Sequence, residues 1–387
     1  MSQRYFPTND EMTSLMFRLN MLEPVALEVS ISCLAEWSLL RQYSPALEET
    51  KCRSSMRLIR LVRDGLQRPG AVSDSTLVGM MALSWRPANC CPHAGPLRGL
   101  FRDVGIDRLG VHENLAHYEL AEESWAAFLY CLNMRGGIEN IDLHCGSESF
   151  TLADNIGLCR AFQHVFQTWL PQVRPPLTEA AAFPVDDGLK ELLLDIRVCC
   201  QEIEEYVIRA KNLGDPGLTG MVVPYQNIVQ HRLMSLRREE GSGGSAEDIC
   251  RAAALVFTLG VTFPLPRAEP LASAAADLAR IMHSSSNTVQ NRRFLFWTAM
   301  LGAIAAGATE SPAAATNEGN ESAGLYMFFL DHTRRFRAEL GLTTWDAAKA
   351  MLKTFLWLDR ACDEGAWKVW SQTLRPSQAA VSKQATM

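Results

Sequence analysis

Eleven cysteines are the residues of this chain with the most chemistry to offer. They are Cys33, Cys52, Cys90, Cys91, Cys131, Cys145, Cys159, Cys199, Cys200, Cys250 and Cys362. No two of them have the C-x2-C spacing that wraps a zinc ion. Most lie inside apolar helical patterns, where a free thiol behaves as a small hydrophobe. The N-terminus has no signal-peptide pattern, because Asp10 and Glu11 come early and no apolar stretch follows. Reduced thiols are therefore expected. The sharpest exception is Cys90-Cys91-Pro92-His93, in a stretch rich in Pro and Gly. Adjacent cysteines ligate one metal poorly, so no metal is expected there.

Other constellations fail on geometry. His112-Glu113-Asn114-Leu115-Ala116-His117 approaches the metalloprotease pattern, which sets two histidines about 40° apart on a helix. Here the spacing is one residue longer and the angle about 140°, so both rings cannot face one zinc. No G-x-S-x-G elbow, P-loop or G-x-G-x-x-G turn is present. Asp186-Asp187 and Glu204-Glu205 are carboxylate pairs, but helical neighbours point apart, so surface or capping roles are expected. Ser284-Ser285-Ser286-Asn287 reads as a linker and cap. The sequence thus assigns no catalytic, cofactor-binding or metal-binding residue. The expectation is a protein that is not an enzyme and needs no cofactor.

Charge points the same way. The formal net charge is -6, and no basic stripe offers a grip on phosphates. The best candidate, Arg57-Leu58-Ile59-Arg60-Leu61-Val62-Arg63, reads as the solvated side of an amphipathic helix. Direct nucleic-acid binding is expected to be weak or absent. The longest apolar run, Phe294 to Ala308, falls short of the roughly 20 residues a membrane span needs, so a buried core helix is expected and no membrane. Nine tryptophans and sixteen phenylalanines predict large aromatic packing. An aromatic-lined pocket for a small apolar effector is the alternative use.

Helices must position all of these residues. Leu27, Ile31, Leu34 and Ser38 share a face after Pro24, and a second helix covers Leu47 to Leu66. Ser73 caps a third, with Leu77, Met80, Met81 and Ser84 in phase. A loop runs from Arg86 to Gly99. His112 to Met134 is expected as one long helix closed by Gly136-Gly137, with Arg135 at the end that favours a cation. Thr151 to Leu170 is another, ended by Pro171. Leu189, Leu192, Leu193, Ile196, Cys199, Cys200, Ile203 and Val207 form a wide apolar stripe. Gly214 to Gly220 is a turn, Val222 to Leu236 is helical, and Arg237 to Ser245 is a loop. Ala246 to Gly260 follows, with Ser245 as N-cap and Asp248 three residues on. Leu271 to Met282, Thr288 to Ala308, Leu325 to Leu340 and Trp345 to Leu358 complete the helices. Ser311 to Ser322 is expected as a mobile insertion. Period-two alternation is scarce. The predicted fold is all-α, a multi-helix domain over residues 21–371, or two helical lobes sharing a core, between a flexible N-terminus (1–20) and a disordered tail (372–387).

Six phrases then carry a resemblance. They are Leu61-Val62-Arg63-Asp64-Gly65-Leu66, Ser73-Asp74-Ser75-Thr76-Leu77, Asn133-Met134-Arg135-Gly136-Gly137-Ile138, His231-Arg232-Leu233, Ile249-Cys250-Arg251-Ala252-Ala253 and the run Phe294 to Ala306. In this order they resemble the fungal-specific transcription factor regulatory domain that follows a six-cysteine zinc cluster. The resemblance implies an all-α regulatory domain, nuclear action, and transcription control of a metabolic pathway or secondary-metabolite gene cluster. It implies no catalytic residues. The zinc cluster does not stand in this sequence, and residues 1–20 hold no cysteine. Either the chain acts through a partner, by homodimerising or by pairing with a DNA-binding relative, or an upstream exon lies outside it. The alternative is a helical enzyme or small-molecule-binding protein encoded within a metabolic pathway.

Overall fold

Proline at the first helical position and oxygen side chains just before it set where many of these helices begin. Pro24 opens α1 (Pro24–Arg41) and Pro45 opens α2 (Pro45–Leu66). The computed structural model describes residues 24–41, 43–68, 72–87, 100–102, 118–135, 142–145, 148–151, 175–213, 226, 229–230, 232–236, 245–264, 269–285, 289–307 and 317–375. The fold is all-α, as the periodicity predicts. The chain forms two compact units, one from Met1–Pro92 with Asn114–Gln172, the other from His93–Glu113 with Val173–Met387.

In the first unit, α1 and α2 pack along each other and both receive α3 (Asp74–Leu83). Ser73 caps α3, its Oγ accepting the Thr76 N–H at 3.2 Å. Leu58, Val62 and Leu77 are buried between them, whereas Arg57, Arg60 and Arg63 are exposed, the solvated face expected. Gly79 permits the close approach: a Cβ there would stand 2.5 Å from Val62 Cγ2. Glu28 is buried, and its carboxylate accepts from Ser54 Oγ at 2.7 Å.

The expected long helix from His112 needs correction. Helix α4 starts at Glu122 and ends at Met134. Just ahead of it, β2 (Tyr118–Leu120) runs antiparallel to β1 (Trp85–Pro87), a stretch expected mostly as loop. The Ala121 N–H donates to the Ser84 carbonyl at 2.7 Å, so the chain is held to α3 before it coils. A second ladder, β3 (Asp142–Cys145) with β4 (Glu148–Thr151), was also not expected. Thr151 is therefore a strand end, and the remainder of the helix expected to Leu170 lies outside the described residues.

The second unit is built around two buried helices. The expected stripe forms α5 (Asp187–Leu213), and all eight of its apolar residues, from Leu189 to Val207, are buried. Asp186 caps it, accepting the Leu189 N–H at 2.7 Å. Then come α6 (Ala246–Phe257), α7 (Glu269–Ser285) and α8 (Arg292–Ala306). Helix α8 is buried from Phe294 to Ala305, which is the core helix expected, with Asn291 as its cap. Helices α6 and α7 pack against it, as do α9 (Asn317–Glu339) and α11 (Asp359–Thr373). Between the last two lies α10 (Trp345–Leu352).

Helix α8 starts at Arg292 rather than Thr288, α7 runs past both expected ends, and three further boundaries differ from expectation. Helix α9 begins at Asn317, inside the stretch read as an insertion. Its stop at Gly341 is as predicted, with φ +63. Helix α10 ends at Leu352, short of Leu358, and α11 was not foreseen; it carries regular structure past residue 372 to a buried Thr373. Its buried face of Ala361, Cys362, Gly365, Ala366, Val369 and Trp370 is mostly small residues, which give a weak periodic signal. Third, α6 passes into a π-helical turn, Thr258–Thr262, rather than ending at Gly260.

An aromatic cluster locks the unit. Trp297 stacks on Phe355 at 5.3 Å between centroids, and Phe183 meets both edge-on. The Trp297 indole N–H donates to the Leu356 carbonyl at 2.9 Å. The short segment Leu100–Arg102 runs over α8 and α11. Leu100 N–H donates to Ile304 O at 2.7 Å and Arg102 N–H to Ala361 O at 2.9 Å. Gly365 makes this possible, since a Cβ would stand 2.4 Å from the Leu100 carbonyl oxygen.

Candidate functional site

The second unit buries a set of polar side chains around residues 226–236. A carboxylate in an apolar interior must be paired, or its desolvation is not offset. Asp195 sits in the first half of α5 with 0% exposure, on a stretch buried on nearly every side. Arg232 reaches it and donates from Nη1 to Asp195 Oδ2. Helical residues 226, 229–230 and 232–235 bring that arginine in.

On the same segment Gln226, Val229, Gln230 and Leu233 are buried, at i, i+3, i+4 and i+7. Met234 on the other side is 70% exposed. The buried face therefore carries two amides among its apolar residues. Gln226 is 2% exposed and Gln230 5%. Both polar atoms of the Gln226 amide, and Oε1 of Gln230, meet no hydrogen-bond partner. An unpaired buried polar group costs about 1–3 kcal/mol.

A second clamp holds the far end. Arg251 donates from Nη1 to the Leu236 carbonyl and from Nη2 to Asp248 Oδ1, both at 2.8 Å. Asp248 completes the capping box with Ser245 that the sequence suggested, its backbone N–H donating to Ser245 Oγ at 3.1 Å. The segment is thus tied to α5 through Arg232 and to α6 through Arg251. His231 lies outside the described residues.

The other places singled out in the sequence divide plainly. In the first unit, Arg135 follows the last residue of α4 and pairs with Asp74, the first residue of α3. Cation and anion each stand where a helix dipole favours them. Cys199, Cys200, Cys250 and Cys362 are buried, and burial pushes each thiol well above its ordinary pKa, which makes it inert. Asp186 caps α5; Asp187 pairs with Lys190 at 3.0 Å; Glu204 is exposed. Trp297 and Trp370 are core, while Trp367 is half exposed against Trp345. Cys90-Cys91-Pro92-His93, His112, His117, Gly136-Gly137-Ile138 and Asn287 lie outside the described residues. Among the described residues, no three of His, Cys, Asp or Glu are grouped to hold a metal ion. No described helix is long and apolar enough to cross a membrane.

Asp195, Gln226 and Gln230 were missed by sequence reasoning. The signal was present: Asp195 interrupts an apolar run, and the two glutamines are in phase with Val229 and Leu233. Comparison with family models, with curated proteins and with solved structures gave no match.

Proposed function

We propose that this chain is a transcriptional regulator of a metabolic or secondary-metabolite gene set, working in the nucleus through a protein partner. The partner is a second copy of the chain or a DNA-binding relative. These 387 residues contain no C-x2-C pair, so the proposal assigns them no direct grip on DNA.

The observation that carries the reading is where the quoted phrases fall. Arg232 of His231-Arg232-Leu233 and Arg251 of Ile249 to Ala253 hold one segment, at residues 232 and 236. Phe294 to Ala306 lies in the central helix, and Arg135 joins α3 to α4. Phrases that fix joints of an all-α core are what a shared regulatory scaffold requires, where no catalytic residues need to be kept.

Deletion of the gene followed by transcript profiling tests this. A coherent set of transcripts rising or falling together is expected. Nanomolar DNA binding by the purified chain at physiological salt would overturn the assignment of DNA reading to a partner. A second reading, a small-molecule-binding protein of a metabolic pathway, is favoured by the unpaired amides of Gln226 and Gln230. It expects steady transcripts and one accumulated metabolite.

A further inference from the structure

Helix α2 carries two faces with apolar residues, and the core of its unit takes only one. Ser54, Leu58 and Val62 are buried. Cys52, Met56, Ile59, Arg63 and Leu66 stand on the outer side, and all five are exposed. Met56 is 53% exposed, Ile59 48% and Leu66 45%. The steps between the five alternate four and three residues. That repeat keeps one seam of side chains turned toward a second helix. An extended strand, whose side chains repeat every second residue, does not match it.

Charge says which helix fits. From Cys52 to Leu66 stand four arginines, Arg53, Arg57, Arg60 and Arg63, against one acidic residue, Asp64, in a chain whose net charge is -6. Arg53, Arg57 and Arg60 border the seam on one flank, and Arg63 lies within it. Arg57 reaches Glu28 only at 3.4 Å, and Arg63 reaches its neighbour Asp64 only at 3.4 Å. A second copy of this helix is a poor fit. Laid parallel, Arg63 meets Arg63; laid antiparallel, the flank of Arg53 and Arg60 meets its own copy. Nucleic-acid phosphates would suit the arginines but leave the apolar seam against charge. A lipid surface requires a broad apolar face free of the core, and here half of the apolar residues are spent on it.

We infer that the outer face of α2, from Cys52 to Leu66, docks an acidic amphipathic helix of a partner protein. A carboxylate opposite Arg63 offsets the charge in the seam, and acidic residues along one edge meet Arg53, Arg57 and Arg60. This rests on the partner reading above and gives that partner its chemistry. The two fail separately, since docking is read on the purified chain and regulation from transcripts.

The probe is a peptide of about 20 residues, long enough to hold a helix, with Leu along its seam and Glu on both flanks. Its twin carries Lys in place of Glu. Binding to the full chain is followed by fluorescence anisotropy of the labelled peptide. It is also followed by the rate at which iodoacetamide alkylates Cys52, read by peptide mass spectrometry. The Glu peptide is expected to bind saturably and to slow Cys52 alkylation at least tenfold, while the Lys peptide does neither. Combining Arg53→Glu with Arg60→Glu, both at exposed positions, should reverse that preference. Ile59→Gln should weaken binding of the Glu peptide at least tenfold, and serves if the reversed variant does not fold. No saturable binding of the Glu peptide overturns the inference. So do equal binding of the two peptides, a preference unchanged by charge reversal, and equal protection of Cys52 by duplex DNA or phosphatidylserine vesicles.

Discussion

Arg232 closes on Asp195, an arginine still partly in water on a carboxylate wholly removed from it. Removing the arginine leaves a buried charge without this partner, which is more damaging than removing the pair. Arg232→Ala is expected to cost about 3 kcal/mol in urea unfolding. Asp195→Leu combined with Arg232→Met should recover much of that loss. A single variant as stable as the parent would show that the ion pair does not hold the segment to α5.

Lys349 lies 2.5 Å from Asp363 and 3.1 Å from Asp359, and Lys353 is 3.0 Å from Asp359, tying α10 and its following turn to α11. The hydrogen bond to Asp363 raises the Lys349 pKa above its ordinary 10.5, against desolvation and with help from Asp359. Burial pushes the Asp359 carboxyl up, but the hydrogen bonds and charges of Lys353 and Lys349 outweigh it, and its pKa lies below the ordinary 3.8. The Asp359 contribution is full above pH 3.8 and fades as pH falls through the lower folded value. The Lys349 contribution is full below pH 10.5 and fades as pH rises through the higher folded value. Asp359→Asn should cost about 0.5–1 kcal/mol at neutral pH, because these groups are partly solvated. It should also flatten the stability profile near the acid edge, as measured by unfolding at a series of pH values.

Gly302 faces Phe329 so closely that a Cβ would stand 2.3 Å from the ring. Gly302→Ala is expected to lose about 1–3 kcal/mol by forcing α8 and α9 apart. A Tm equal to that of the parent would mean that the ring moves aside without cost.

Alkylation with iodoacetamide should sort the cysteines. Cys52 is exposed and should react with the native protein within minutes. Cys199, Cys200, Cys250 and Cys362 should react only in denaturant, because burial keeps them as thiols. Peptide mass spectrometry after timed labelling distinguishes the two groups.

Residues whose partners are near in sequence were readable. Ser73 and Ser245 cap helices within three residues of themselves, Gly341 closes one, and Leu189 to Val207 repeats often enough to reveal its face. Residues whose partners are remote were not. Tyr118–Leu120 becomes a strand because of Trp85–Pro87, and nothing local to it says so. Asp195 reads as a blemish in an apolar stripe until Arg232 arrives from another segment. The glutamines on the buried face of 226–233 look like surface residues by type, and only their phase places them inside. The all-α class was therefore legible, while the candidate site, made of remote pairings, was not.

The segment Leu100–Arg102 has a consequence for how this protein can be cut and how it folds. It belongs to the second unit, yet in sequence it lies between the two pieces of the first, Met1–Pro92 and Asn114–Gln172. Phe101 is buried there, against Gly260, where a Cβ would stand 2.5 Å from the ring. A fragment starting near residue 173 would present bare apolar surface on α8 and α11, and should be prone to aggregate. Joining Arg102 to Ala361 spans roughly 260 residues, a closure whose entropy cost grows only logarithmically with length but whose rate suffers more. Closing the second unit over Leu100–Arg102 must wait until α11 has been made, long after that segment itself.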